Sequence, residues 1–153
     1  MKANVLFGVD NLKYVDVNMP KITANQVLLK VKAAGICGSD NARVFTNGTY
    51  HFPTIIGHEF SGEIVQAGDS ALIGRRVAVY PLIPCGECDS CKRTSYETCS
   101  HYNYLGSRCD GGFAEYVAVP KWNLAFIPDN VSYEEAAMLE PSCVAYHALR
   151  RSE

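Results

Sequence analysis

The stretch Cys85-Gly86-Glu87-Cys88-Asp89-Ser90-Cys91, closed by Cys99, sets the reading of the chain. Its spacing is C-x2-C-x2-C-x7-C, four thiols within fifteen residues. A Cys-x-x-Cys pair brings two sulfurs to one ion without a long loop, and four thiolates suit one tetrahedral zinc. Pro81, Pro84 and Gly86 break regular structure, and the residues after Cys91 are mostly polar. A metal is then what holds this loop folded. Two other chemistries use the same residue type. Disulfides are one, although neighbouring Cys-x-x-Cys pairs close strained loops. An iron–sulfur cluster, which also takes four thiolates, is the other.

Outward from the lobe the chain reads as strands. Residues 76–80 (RVAVY) lead in, and Gly111-Gly112 followed by 113–119 (FAEYVAV) leads out. Residues 26–34 (QVLLKVKAA) alternate, with Val27, Leu29 and Val31 on one face and Lys30 and Lys32 on the other. That is the pattern of a half-buried strand. Two short strands, 5–7 and 12–17, flank the turn Gly8-Val9-Asp10-Asn11. Residues 53–65 read as a strand, a Gly57-His58-Glu59 interruption and a second strand, and 124–127 add one more. A short helix is expected at 41–45. Many short strands with Gly and Pro between them indicate an all-β barrel or sandwich. The period changes near the end. Ser132-Tyr133-Glu134-Glu135 is a capping box, and Pro141 suits the first turn of a second helix over 142–150.

The composition is that of an ordinary globular domain: 153 residues, 48% apolar, 20% charged, net charge −2. No basic face favours nucleic acid or an anionic membrane, and no apolar run approaches the roughly 20 residues of a membrane span. The N-terminus lacks the apolar region of a signal peptide. Seven cysteines without an export signal imply thiols and metal ligands in the cytoplasm.

Cys37, His58-Glu59 and Glu140 lie far apart in sequence. Cys37 and His58 each sit at a turn leaving a strand, where functional side chains are often presented. Taken singly, Cys37 reads as apolar filling, His58 as a satisfied polar residue, and Glu140 as a carboxylate at a helix N-terminus.

The joint pattern says more. Gly35-Ile36-Cys37-Gly38-Ser39-Asp40, Gly57-His58-Glu59, the four-cysteine lobe, Asp110-Gly111-Gly112-Phe113-Ala114-Glu115-Tyr116 and Glu140-Pro141 follow one another at set intervals. Together they resemble the N-terminal, GroES-like catalytic domain of the zinc-dependent medium-chain alcohol and polyol dehydrogenases. Phe45-Thr46-Asn47-Gly48 and Gly106-Ser107-Arg108-Cys109 further resemble the branch that holds the galactitol-1-phosphate 5-dehydrogenases. The resemblance implies a mainly β fold, a partly open barrel with short helices and a zinc-binding lobe at about 81–109. It implies Cys37, His58 and Glu140 as ligands of a catalytic zinc, with Glu59 beside the metal and able to ligate it. It makes Cys85, Cys88, Cys91 and Cys99 the ligands of a structural zinc. Ser39 matches the hydroxyl of a proton relay, and Asp40 the acid that orients the zinc histidine. Ala42 stands where many relatives carry a relay histidine, and His51 lies nearby in sequence. Arg43 and Arg108 are candidates for gripping a substrate phosphate.

The implied reaction is hydride transfer from a secondary alcohol of a polyol or sugar phosphate to NAD(P), in a homo-oligomer. No G-x-G-x-x-G lies between a strand and a helix. The chain therefore reads as a catalytic-domain fragment, with a linker helix beginning at 142 and without its Rossmann unit, and is expected to be inactive alone. Sorbitol/L-iditol or L-threonine dehydrogenase-like activity is the alternative enzyme. A non-enzymatic zinc-stabilised β module is the alternative class, in which Cys37, His58 and Glu140 are idle.

Overall fold

The computed structural model describes residues 1–152. Strands β1 (Lys2–Leu6) and β2 (Leu12–Asp16) form the expected hairpin. The long strand β3 (Gln26–Gly35) runs into helix α1 (Gly38–Ala42) and one π-helical turn, Arg43–Asn47. Next come β4 (Thr54–Ile55), β5 (Glu59–Ala67) and β6 (Arg76–Val79). The cysteine lobe holds β7 (Leu82–Ile83), the single-turn helix α2 (Asp89–Lys92) and β8 (Asn103–Tyr104). The chain closes with β9 (Tyr116–Pro120), β10 (Leu124–Phe126), α3 (Tyr133–Ala137) and α4 (Leu139–Arg151).

Five strands make the main antiparallel sheet in the order β10-β6-β5-β3-β9, and a second sheet has the order β2-β1-β4. The two are stitched where β1 meets the segment before β9. Ala3 bridges Ala114, Asn4 N–H donates to the Phe113 carbonyl, and Glu115 N–H donates to that of Lys2. The sheet wraps without closing, so the expected partly open barrel is the observed one.

The core follows from the alternation. Val27 and Leu29 of β3 meet Phe60 and Ile64 of β5, Val77 and Val79 of β6, and Val117 and Val119 of β9. Strand β3 departs from a half-buried strand at one point: Leu28 is buried as well, at 6% exposure. Register shifts at Leu28/Leu29 and Val31/Ala33 break the simple alternation there. The capping box forms as read, with Glu135 N–H donating to Ser132 Oγ at 3.1 Å and Ser132 N–H to Glu135 Oε2 at 2.8 Å. The second helix begins at Leu139 rather than 142, with Pro141 in its first turn, where a missing N–H costs nothing. Among the described residues, no helix is long and apolar enough to cross a membrane.

Phe60 is 1% exposed at the centre of the main core. Phe60→Ala is expected to cost about 3–5 kcal/mol in urea denaturation. Val144→Ala, on the exposed face of α4, is expected to stay within about 0.5 kcal/mol.

Candidate metal centres

Backbone pairing builds the first centre. Strands β3 and β5 run antiparallel with Gly35 opposite Glu59. The ladder therefore ends with Cys37, just beyond β3, beside His58 and Glu59 at the start of β5. A Cβ on Gly35 would lie 2.6 Å from Glu59 Oε2, so a side chain there would displace the carboxylate from the cluster. Gly57 turns the chain into His58 at φ +93°, and a Cβ there would fall 2.3 Å from the Phe113 ring. Donor atoms of Cys37, His58 and Glu59 all lie within 4.8 Å of one another. His58 and Glu59 are buried, at 3% and 6% exposure, and Cys37 is half-buried.

Asp40 is the fixed point behind this cluster. Its Oδ2 accepts the Cys37 N–H at 3.1 Å. Its Oδ1 lies 3.1 Å from Arg43 Nη1 and 3.4 Å from His58 Nδ1. His58 Nδ1 is buried without a hydrogen-bond partner and has the Asp40 carboxylate as its neighbour, which leaves Nε2 as the nitrogen for an ion. Burial raises the Asp40 carboxyl, but the His58 ring, the Cys37 N–H and the Arg43 guanidinium outweigh it and hold the pKa below 3.8. Ser39 Oγ accepts from Arg43 Nη1 at 2.7 Å, so its own proton stays free to donate.

Glu140 lies outside this cluster. Its Oε1 accepts a hydrogen bond from the Tyr104 hydroxyl at 3.4 Å, and the Tyr104 ring packs on His58 with centroids 5.7 Å apart. Burial, reinforced by the Glu140 carboxylate, raises the Tyr104 pKa and keeps the hydroxyl a donor. Glu140 is thus one side chain removed from His58, and Glu59 takes the carboxylate place beside Cys37. Nothing in the motif pattern pointed to Tyr104. It reaches His58 only because β8 pairs with β7, Leu82 opposite Tyr104.

The second centre is the cysteine quartet, whose four sulfurs also lie within 4.8 Å of one another. A tetrahedron with metal–sulfur bonds of about 2.3 Å has edges of about 3.8 Å. Three of the sulfur pairs stand at 3.5 Å (Cys88–Cys91), 3.8 Å (Cys88–Cys99) and 3.9 Å (Cys85–Cys91). All seven cysteines are free of disulfides. Backbone N–H groups of Cys91 and Ser100 pull the Cys88 thiol down to about 5, while burial pushes Cys91 up to about 12. Sulfurs this close repel one another as thiolates, and a cation among them removes that repulsion.

The remaining candidates divide. Arg43 joins Ser39 and Asp40. The Arg108 guanidinium is clamped between the rings of Tyr50 and Tyr102, with its carbon 3.9 Å and 4.4 Å from the two centroids. His51 is exposed, with Nε2 3.1 Å from the Arg108 carbonyl, and is not part of the cluster.

The alcohol dehydrogenase GroES-like domain family matches residues 23–129. The chain belongs to this family. It is 40% identical over 132 residues to galactitol 1-phosphate 5-dehydrogenase of Escherichia coli (strain K12), covering 84% of this chain and 38% of that one. Sorbitol dehydrogenase of Bacillus subtilis (strain 168) is 40% identical over 162 residues, covering 100% of this chain and 46% of the relative. The crystal structure of galactitol-1-phosphate dehydrogenase from Escherichia coli superposes with a TM-score of 0.91 at 38% identity, over 97% of this chain and 44% of that one. A protein named as a zinc-binding dehydrogenase of Sinorhizobium meliloti 1021, solved with NADP, gives 0.91 at 34% identity over 97% and 44%. The chain spans less than half the length of these relatives.

A group whose pKa is lowered on folding stabilises above its unfolded value and loses that contribution as pH falls through the folded one. In metal-free protein, the chain is expected to be more stable than Asp40→Asn near neutral pH, with the gap closing below 3.8. Urea denaturation of both across a pH series checks this. A gap unchanged by acid would show that the Asp40 charge does not hold the cluster.

Proposed function

We propose that this chain is the metal-carrying catalytic part of a zinc- and NAD(P)-dependent dehydrogenase. The intact protein oxidises a secondary alcohol of a polyol or polyol phosphate. The observation that carries this reading is the convergence of Cys37, His58 and Glu59 on one point, with Asp40 behind the histidine. Family membership and relatives named for polyols and polyol phosphates support it.

Cys37, His58 and a carboxylate are the residues that hold the catalytic ion. Glu59 supplies that carboxylate in the conformation described, with Glu140 in reserve behind Tyr104. Three protein donors would hold such an ion and would leave it able to take a substrate hydroxyl. Zinc there supplies Lewis acidity that lowers the hydroxyl's pKa, and the nicotinamide of the intact protein supplies the hydride acceptor. The residues of the chain manage geometry and the proton. Asp40 holds the His58 ring and the Cys37 backbone in one arrangement. Ser39 takes the hydroxyl proton on Oγ and passes on its own, while Arg43 fixes its rotamer. Ala42 offers no imidazole for the next step, so this proton leaves from Ser39 toward solvent. The secondary alcohol becomes a ketone by losing a hydride equivalent and a proton, and the residues of this chain handle the proton.

Cys85, Cys88, Cys91 and Cys99 hold a second, structural zinc that fixes the lobe. The dinucleotide unit belongs to the intact protein, as relatives solved with NADP or NADH support. The intact enzyme is a cytoplasmic homo-oligomer that binds neither nucleic acid nor membrane. A non-enzymatic zinc module has no use for a buried Asp40 set against the buried His58.

Native mass spectrometry tests the two-site reading. The chain is expected to carry two zinc ions. His58→Ala is expected to carry one, and Cys91→Ser to lose the other together with thermal stability. One zinc in both the chain and His58→Ala contradicts a catalytic site.

A further inference from the structure

A pocket of about 380 Å³ opens beside the cluster, lined by Ser39, Ala42, Arg43, Asn47, Gly48, Thr49 and Tyr50. No carboxylate lines it. Arg43 is held in the wall by one nitrogen only, Nη1, which contacts Ser39 Oγ at 2.7 Å and Asp40 Oδ1 at 3.1 Å. Among the described residues, its Nε and Nη2 have no hydrogen-bond partner, and neither is sealed from solvent. The guanidinium is therefore fixed along one edge and free along the other. A planar fork of this kind matches two phosphate oxygens at once, and its side-chain entropy has already been spent on the Asp40 contact. Asn47 is exposed at the mouth and offers an amide. Arg108 is excluded from this role by its clamp between Tyr50 and Tyr102, but it stands directly behind the Tyr50 wall and adds positive charge there.

The same Asp40 oxygen touches both Arg43 and His58, so the pocket and the metal cluster lie on either side of one carboxylate. We infer that this pocket receives the phosphate of the substrate, with Arg43 as the specificity-determining residue. The polyol oxidised next to Cys37 and His58 is then a phosphomonoester rather than a free polyol. This rests on the catalytic reading above, which supplies the second end of the substrate. A free polyol leaves the unpaired edge of Arg43 to water and gains nothing from the pocket.

The test is an NMR titration of the 153-residue chain, reading the Arg43 Nε–H and the Gly48 and Thr49 amides. The probes are inorganic phosphate, galactitol 1-phosphate and galactitol. Phosphate and galactitol 1-phosphate are expected to shift these signals, and galactitol to leave them unmoved. On zinc-loaded chain, galactitol 1-phosphate is expected to bind more tightly than phosphate alone. Arg43→Lys keeps a cation beside Asp40 but loses the free edge, and is expected to weaken both phosphate probes about ten- to a hundredfold. Asn47→Asp, on an exposed side chain, is expected to weaken them too without touching the fold. Equal binding of galactitol and galactitol 1-phosphate overturns the inference, as does phosphate affinity unchanged in Arg43→Lys. Galactitol 1-phosphate binding no tighter than phosphate on zinc-loaded chain overturns the link to substrate. Zinc content of the same samples reports the catalytic reading separately, since the phosphate shifts do not need the metal.

Discussion

The antiparallel pairing of β3 with β5 is the constraint on which the rest depends. It sets Gly35 opposite Glu59, with Ala34 and Ala33 opposite Phe60 and Ser61. Two chain segments about twenty residues apart thus deliver Cys37 and His58 to one place. Slipping the register by one residue would send every side chain of one strand to the other face. Burial prevents that slip, because Leu29, Phe60 and Ile64 fill the sheet's inner face and are each no more than 1% exposed. The side chains at the ladder's end are positioned by hydrophobic packing along its length.

The cysteine lobe contributes through its exit strand. The lobe has little apolar content of its own. Its bracing comes from the short β7–β8 pair and from Trp122, whose ring meets Tyr80 at 5.7 Å and Tyr96 at 5.1 Å. Strand β8 then carries Tyr104 onto His58 and Glu140. An ion held by the quartet would fix the chain entering this strand, and with it the placement of Tyr104 against His58.

Much of this was legible in the sequence because it is local. The spacing of four cysteines, the capping box at Ser132 and Glu135, and the alternation before and after the lobe each report on neighbouring residues. Family resemblance supplied the long-range pairing of Cys37 with His58, which spacing alone left open. What stayed hidden is non-local and specific to side chains. The bulges that bury Leu28 depend on how β3 meets two partners. The Tyr104–Glu140 contact depends on a two-residue strand too short to read. The separate fates of Arg43 and Arg108, one with a free edge and one clamped between aromatic rings, depend on where Tyr50 and Tyr102 converge.

The proposed function requires two distinct metal sites on one polypeptide, one from neighbouring thiols and one from the ends of a buried ladder. Anomalous diffraction at the zinc edge, from crystals of the zinc-loaded chain, tests it most directly. Two peaks are expected: one inside the tetrahedron of Cys85, Cys88, Cys91 and Cys99, and one bonded to Cys37, His58 and a carboxylate from Glu59 or Glu140. A single peak in the lobe, with Cys37 and His58 bare at full zinc loading, would contradict it.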